Sequence, residues 1–205
     1  MDLFRKPLLV ALVATVLFAV SLTVMQQALE RPAHAQHATV LPEPAPLPEF
    51  QLTDQAGRPF GKDRLRGKFS LLFFGFTHCP DICPATLQQL VLARNRVAAA
   101  TAATPNIVLI SVDPGRDTPP LLAEYVASFG NGIVGVTGEI DELQKLTSAL
   151  GIFFEKSQIE AEAYQVAHTA AVLLVNERAE LAAIFGAPHS IDAFVNDLPL
   201  LMASR

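Results

Sequence analysis

Both cysteines of the chain, Cys79 and Cys83, fall within the stretch "FFGFTHCPDICPATLQQL", and each is followed directly by proline. Two thiols this close can form a disulfide, exchange one with another protein, or aim their sulfurs at a single soft metal ion. A purely structural disulfide would close a loop of five residues, and short loops gain little unfolded-state entropy from a cross-link. Three residues intervene, which departs from the redox C-x-x-C pattern, and Thr77 stands one position too close to Cys79 for the T-x-x-C arrangement of peroxiredoxins. Two thiolates alone fall short of the four ligands of a structural zinc site, whereas two soft sulfurs joined by one imidazole suit copper. Among the histidines, His78 adjoins Cys79, but neighbouring side chains on extended backbone point to opposite faces, which turns it away. His34 and His37 lie in a polar, proline-rich stretch and read as solvated, as does His189 after Pro188. His168, in "YQVAHTAAVLLV", directly precedes a buried strand, a setting in which a lone histidine is usually structural.

The elements that must position these groups read as an α/β domain. "FQLTDQAGRPF" suggests two short strands around a turn at Ala56-Gly57, and "KFSLLFFGF" (Lys68 to Phe76) is an unbroken apolar run, as expected of a strand buried on both faces. Cys79 follows that strand, and a helix then runs to about Ala100. "NIVLISV" is the next strand, "PPLLAEYVASF" a helix, "GIVGVTG" a short strand, and "IDELQKLTSAL" a helix ended by Gly151. "AAVLLVN" and "LAAIFG" form a strand pair turned by Glu177-Arg178, and Ser190 starts a closing helix. This order predicts a mixed central sheet flanked by helices. Because proline disfavours helical angles in the residue before it, Cys79 and Cys83 are both expected outside the helix, with "CPDIC" a loop. Cys83 then falls near a helix N-cap, where the helix dipole would lower its thiol pKa.

The chain has 205 residues, a net charge of −5 and 17% charged residues without a basic run, so nucleic acid is not an expected partner. The N-terminus predicts membrane attachment. From Pro7 to Met25 no residue is charged, which is long enough for a transmembrane helix. Arg5 and Lys6 on its near side place residues 1–6 in the cytoplasm and export the remainder. A cleaved signal peptide is the rival reading, with "AHA" at Ala33 to Ala35 as its cleavage site, but the apolar run is long for one. The expected layout is a cytoplasmic segment 1–6, an anchor 7–25, a proline-rich tether 26–48 and a folded domain 49–205. That places the domain on the periplasmic side of the inner membrane, where exposed dithiols tend to oxidise.

Three stretches, "FFGFTHCPDICP", "SVDPGRDTP" and "AHTAAVLLVN", taken in order over roughly Pro48 to Ile191, resemble the Sco/SenC family of membrane-tethered copper proteins that help assemble the copper site of cytochrome c oxidase subunit II. The resemblance implies a thioredoxin-like fold and makes Cys79, Cys83 and His168 the ligands of Cu(I) or Cu(II). It further implies the copper-bearing oxidase subunit as partner, with a thiol reductant or copper donor upstream. Many members carry an acidic residue directly before the histidine, where this chain has Ala167. Asp113, Arg116 and Asp117 match the family's D-P-x-R-D-T segment and read as a loop and helix-start network, and Asp81 as a cap for the helix after the cysteines. The expected function is copper delivery by a chaperone rather than an enzyme. The alternative is a thiol-disulfide oxidoreductase whose redox pair is Cys79 and Cys83, and which has no need of His168; a redox or copper sensor is a third reading.

Overall fold

Three apolar runs seed the sheet of this chain. In the computed structural model, which describes residues 14–22, 35–101, 103–158 and 164–203, they become strands β4 (Ser70–Gly75), β5 (Asn106–Ser111) and β9 (Val172–Val175). Every residue of β4 and β9 is buried, because neither face of a central strand meets water. Around them lie β1 (Ala38–Pro46), β2 (Leu52–Asp54), β3 (Pro59–Phe60), β6 (Ile133–Thr137) and β10 (Glu180–Phe185). The eight strands run in the order β1-β10-β9-β4-β5-β6-β2-β3. β4, β5 and β6 are parallel and the remaining pairs antiparallel, so the sheet is mixed, as the sequence predicts. The helices are α2 (Ile82–Thr101), α3 (Pro119–Ala127), α4 (Ile140–Ala149) and α5 (Ile191–Ala203). Gly151, with φ of 67°, lets the chain leave α4 through the left-handed region. Ser190 Oγ accepts the Ala193 N–H (3.2 Å) at the start of α5, the N-cap its hydroxyl predicts.

Two expectations need correction. The tether does not extend to Pro48: Ala38–Pro46 is an edge strand paired with β10, and the compact unit begins at Ala35. Pro42, Pro44 and Pro46 alternate, which leaves their missing N–H groups on one edge of the strand, and an edge strand can lack donors on its open side. The pairing register also shifts between Val40 and Ala45. A second strand pair, β7 (Phe154–Gln158) with β8 (Tyr164–His168), forms a separate two-stranded sheet that the sequence reading passed over.

The residues Met1–His34 form a unit of their own. Of the predicted anchor, residues 14–22 are helical (α1) with Leu17 and Phe18 exposed, while 7–13 and 23–25 lie outside the described residues, as does His34. No helix among the described residues is long and apolar enough to cross a membrane.

One carboxylate ties the start of β1 to the domain. Asp197 of α5, 1% exposed, accepts the backbone N–H groups of Gln36 (3.0 Å), His37 (2.7 Å) and Ala38 (2.8 Å). Charge-assisted bonds of this kind are the strong ones, and a donor left unpaired costs stability. Asp197→Ala should lower the unfolding free energy by about 2–4 kcal/mol in urea titration, with lost hydrogen-exchange protection in β1; an unchanged midpoint would contradict the clamp.

Candidate metal centre

The parallel strands β4 and β5 end side by side, and both cysteines follow from the end of β4. The Cys79 N–H donates to the Phe76 carbonyl (3.3 Å), closing a turn that exposes Cys79 partly to solvent. Cys83 is not in a loop, as the proline rule suggests, but in the first turn of α2, fully buried. The first-turn N–H groups have no intrahelical partner, so Pro84 costs α2 no hydrogen bond, and core packing overrides the preference of the residue before it. Its sulfur rests on Gly75: a Cβ there would come within 3.0 Å of Cys83 Sγ and 3.1 Å of the Phe73 ring. Any larger residue would have to press the sulfur and the ring aside by a few tenths of an ångström. Asp81 precedes α2, and its carbonyl accepts the Ala85 N–H (3.2 Å).

The expected acidic thiol is also corrected. Burial pushes the Cys83 thiol far above its ordinary range, and a backbone contact from Phe76 offsets this only in part. Desolvation of the thiolate outweighs the helix dipole because the sulfur has no contact with water.

His168 arrives from the other sheet. As the last residue of β8 it shares a strand face with Tyr164 and Val166, and its Nε2 lies 3.5 Å from Cys83 Sγ. Its Nδ1 faces the Thr169 carbonyl at 3.2 Å. A carbonyl only accepts, so Nδ1 carries the proton and Nε2 presents its lone pair to the sulfurs. The ring packs edge-on against Phe73 and Phe76, and burial lowers its pKa, with the Thr169 bond opposing. The two sulfurs and an imidazole nitrogen all lie within 4.8 Å of one another. Donors around one three-coordinate ion at bond lengths of about 2.0–2.3 Å stand roughly 3.5–4 Å apart, so a small inward movement suffices to share an ion.

The other histidines among the described residues stay outside this group. His78 lines the same cavity of about 470 Å³ as Cys79, Phe76, Arg116, Tyr164 and His168, so it is not turned fully away. Its Nδ1 is nevertheless held by Thr77 Oγ1 (3.0 Å), which itself donates to Asp117 Oδ1 (2.6 Å). His189 is half-buried rather than solvated: its Nε2 donates to the Ala170 carbonyl (2.8 Å), and burial lowers its pKa. His37 is exposed.

The acidic loop after β5 is the network its sequence suggests. Asp117, buried, accepts Thr77 N–H (2.9 Å), Thr77 Oγ1 and Ser111 Oγ (2.6 Å). Buried Asp113 accepts Tyr164 OH (2.7 Å), Lys156 Nζ (2.9 Å) and Arg116 Nε. Those donors hold its carboxyl below the usual range despite burial, which acts the other way. Sequence reasoning missed Tyr164, Lys156, Thr77 and Ser111; the alternation in "YQVAH", which sets Tyr164, Val166 and His168 on one face, was the available signal. Ala167 points to the opposite, exposed face, where Glu155 is its cross-strand partner.

With this geometry in view, residues 40–203 match the SCO1/SenC family. The chain belongs to that family. A Stutzerimonas stutzeri protein named for copper binding is 35% identical over 188 residues, covering 91% of this chain and 92% of that one. The mitochondrial protein SCO2 of Saccharomyces cerevisiae is 41% identical over 105 residues, 51% of this chain and 35% of its own length. Among solved structures, Arabidopsis thaliana ScoI with copper bound superposes with a TM-score of 0.75 at 30% identity, covering 78% of this chain and all of that one. The fold is thioredoxin-like, with the sheet flanked by helices. Copper is the metal that fits: the donors are two soft sulfurs and one neutral imidazole.

Two outcomes test these environments. Limited alkylation by iodoacetamide near neutral pH should label half-exposed Cys79 well before Cys83, and equal rates would refute the buried thiol. Because His168 and His189 have folded pKa values below the unfolded 6.5, the unfolded chain takes up protons that the folded one refuses. Stability should therefore fall as pH drops from about 7 to 5. Carboxylates with depressed pKa such as Asp113 contribute their loss only further down, from the ordinary 3.8. The His168→Gln/His189→Gln variant should flatten the slope between about pH 7 and 5; an equally steep variant would exclude these rings as its source.

Proposed function

We propose that this chain is a copper chaperone: Cys79, Cys83 and His168 bind one copper ion and pass it by ligand exchange to the copper-bearing subunit of a cytochrome c oxidase during assembly. The observation that carries this is the convergence of the three donors within 4.8 Å. The copper-bound Arabidopsis relative and the resemblance of the cysteine motif to the Sco/SenC pattern support the metal and the target. Copper is here the cargo. Cu(I) suits the two sulfurs, and the imidazole extends tolerance to Cu(II).

The residues suit capture followed by release. Cys79, partly exposed, meets the incoming ion first. Cys83 holds its proton until the cation displaces it, so loading releases protons and a disulfide would eject the metal. A periplasmic thiol reductant or copper donor therefore belongs upstream. The uncharged run Pro7–Met25, with Leu17 and Phe18 exposed in α1, supports a single-pass anchor in the inner membrane with the domain exported.

Thiol-disulfide exchange on the target's own cysteines is the second reading. It is favoured by the pairing of a half-exposed sulfur with a buried one within reach, the layout of an attacking and a resolving thiol. His168 separates the two readings, since exchange does not need it.

In copper titration of the reduced protein, Cys79→Ser or Cys83→Ser should abolish equimolar binding, and wild-type stoichiometry in either would overturn the chaperone reading. In a strain carrying His168→Ala, delivery predicts loss of oxidase activity together with its copper, whereas intact activity would transfer the role to thiol exchange.

A further inference from the structure

His168 belongs to the β7–β8 hairpin, and that hairpin shares no strand pairing with the eight-stranded sheet. Whatever fixes the hairpin therefore fixes the imidazole. Near the ligand, the hairpin is tied to the body of the domain by the buried Val166, by the edge contacts of the His168 ring with Phe73 and Phe76, and by the bond from His189 to the Ala170 carbonyl. At the other end one carboxylate holds both strands. Asp113 Oδ1 accepts Lys156 Nζ from β7 (2.9 Å) and Tyr164 OH from β8 (2.7 Å), while Oδ2 takes Arg116 Nε from its own loop. The Arg116 guanidinium lies 3.9 Å from the Tyr164 ring centroid, and Lys156 Nζ is 4.9 Å from the same centroid.

We infer that Asp113 is a positioning residue for metal capture: its carboxylate clasps both strands of the hairpin and so sets the gap between the His168 imidazole and the thiols. The charge on Asp113 is what lets two cations share one aromatic ring. Without it, Lys156 and Arg116 crowd the Tyr164 ring with no shared carboxylate, and the tyrosine hydroxyl loses its acceptor. Repulsion would then push β7 outward and carry His168 with it.

The same loop steadies the other half of the donor set. Asp117, four residues on, binds Thr77 through both its N–H and its hydroxyl, and Thr77 stands two residues before Cys79. One short segment at the end of β5 thus holds the imidazole arm with its first carboxylate and the thiol loop with its second. Asp113 bonds directly to both strands of the arm and reaches the thiol side only through Arg116, whose guanidinium lies 5.8 Å from the Phe76 ring centroid, so removing its charge should displace the nitrogen more than the sulfurs.

This rests on the reading of Cys79, Cys83 and His168 as copper ligands, and the experiment separates the two. The full-length reduced protein, loaded with equimolar Cu(II), is examined by electron paramagnetic resonance for imidazole nitrogen coupling and by absorption for the sulfur-to-copper charge-transfer band. Asp113→Asn is compared with the hairpin-side pair Lys156→Met/Tyr164→Phe, which carries the test if the buried substitution prevents folding. Both should keep the sulfur band, lose or weaken the nitrogen coupling as His168→Ala does, and bind copper about 10–100-fold more weakly. A role confined to stability would lower the unfolding midpoint and leave spectrum and affinity unchanged, and that result overturns the proposal. If the wild type itself shows no nitrogen coupling, His168 is not a ligand, and the proposal falls with the ligand reading.

Discussion

Cys83 Sγ and His168 Nε2 stand 3.5 Å apart although 85 positions separate them in the chain, and the structure around the site depends on that approach. The sulfur is closely packed: it is buried in the first turn of α2 against Gly75, where an added methyl group would sit 3.0 Å from it. The imidazole is oriented from both sides, by the Thr169 carbonyl on Nδ1 and by the edges of Phe73 and Phe76. Of the three groups, Cys79 is a partly exposed thiol while Cys83 is buried.

Burial also decides the charge of Cys83 and His168. A thiolate at Cys83 would lack solvation, so the sulfur keeps its proton, and a desolvated His168 stays neutral. The resting centre therefore carries little charge in an apolar wall. A soft cation supplies what solvent does not, replacing the proton and gaining sulfur and nitrogen bonds together. The buried carboxylates nearby are Asp113 and Asp117, and each is matched by several donors. Cost and compensation are thus kept in separate layers: a buried sulfur and ring, and behind them a saturated ionic loop.

Much of the fold was legible wherever a local rule and tertiary packing agree. The unbroken apolar runs of β4, β5 and β9 are central strands because such runs cannot face water on either side. Gly151 and Ser190 marked a helix end and a helix start through backbone requirements that act locally. The failures share a cause. β1 is rich in proline and exposed, so its local signal is that of a linker, and only pairing with β10 and the Asp197 clamp make it a strand. In β7 and β8 exposed polar residues interleave with the few that pack, so the pattern is weak and the pairing between the strands decides. Cys83 was displaced from a loop into α2 because packing on Gly75 outweighs a preference of the backbone before proline.

The amino-acid sequence by itself supplied the candidate donors: two vicinal cysteines too close for a useful cross-link and, only through a motif that resembles a copper-handling family, one imidazole ahead of a buried strand. Those are properties of residue type and spacing, and no folding alters them. Tertiary structure decided that the imidazole of His168 and not that of His78 faces the sulfurs, that Cys83 is a protonated core residue, and that Asp113 and Asp117 hold the two halves of the site together. Each of these depends on distance and burial between segments far apart in the chain, and solvation free energy is a property of the folded environment that residue spacing does not carry.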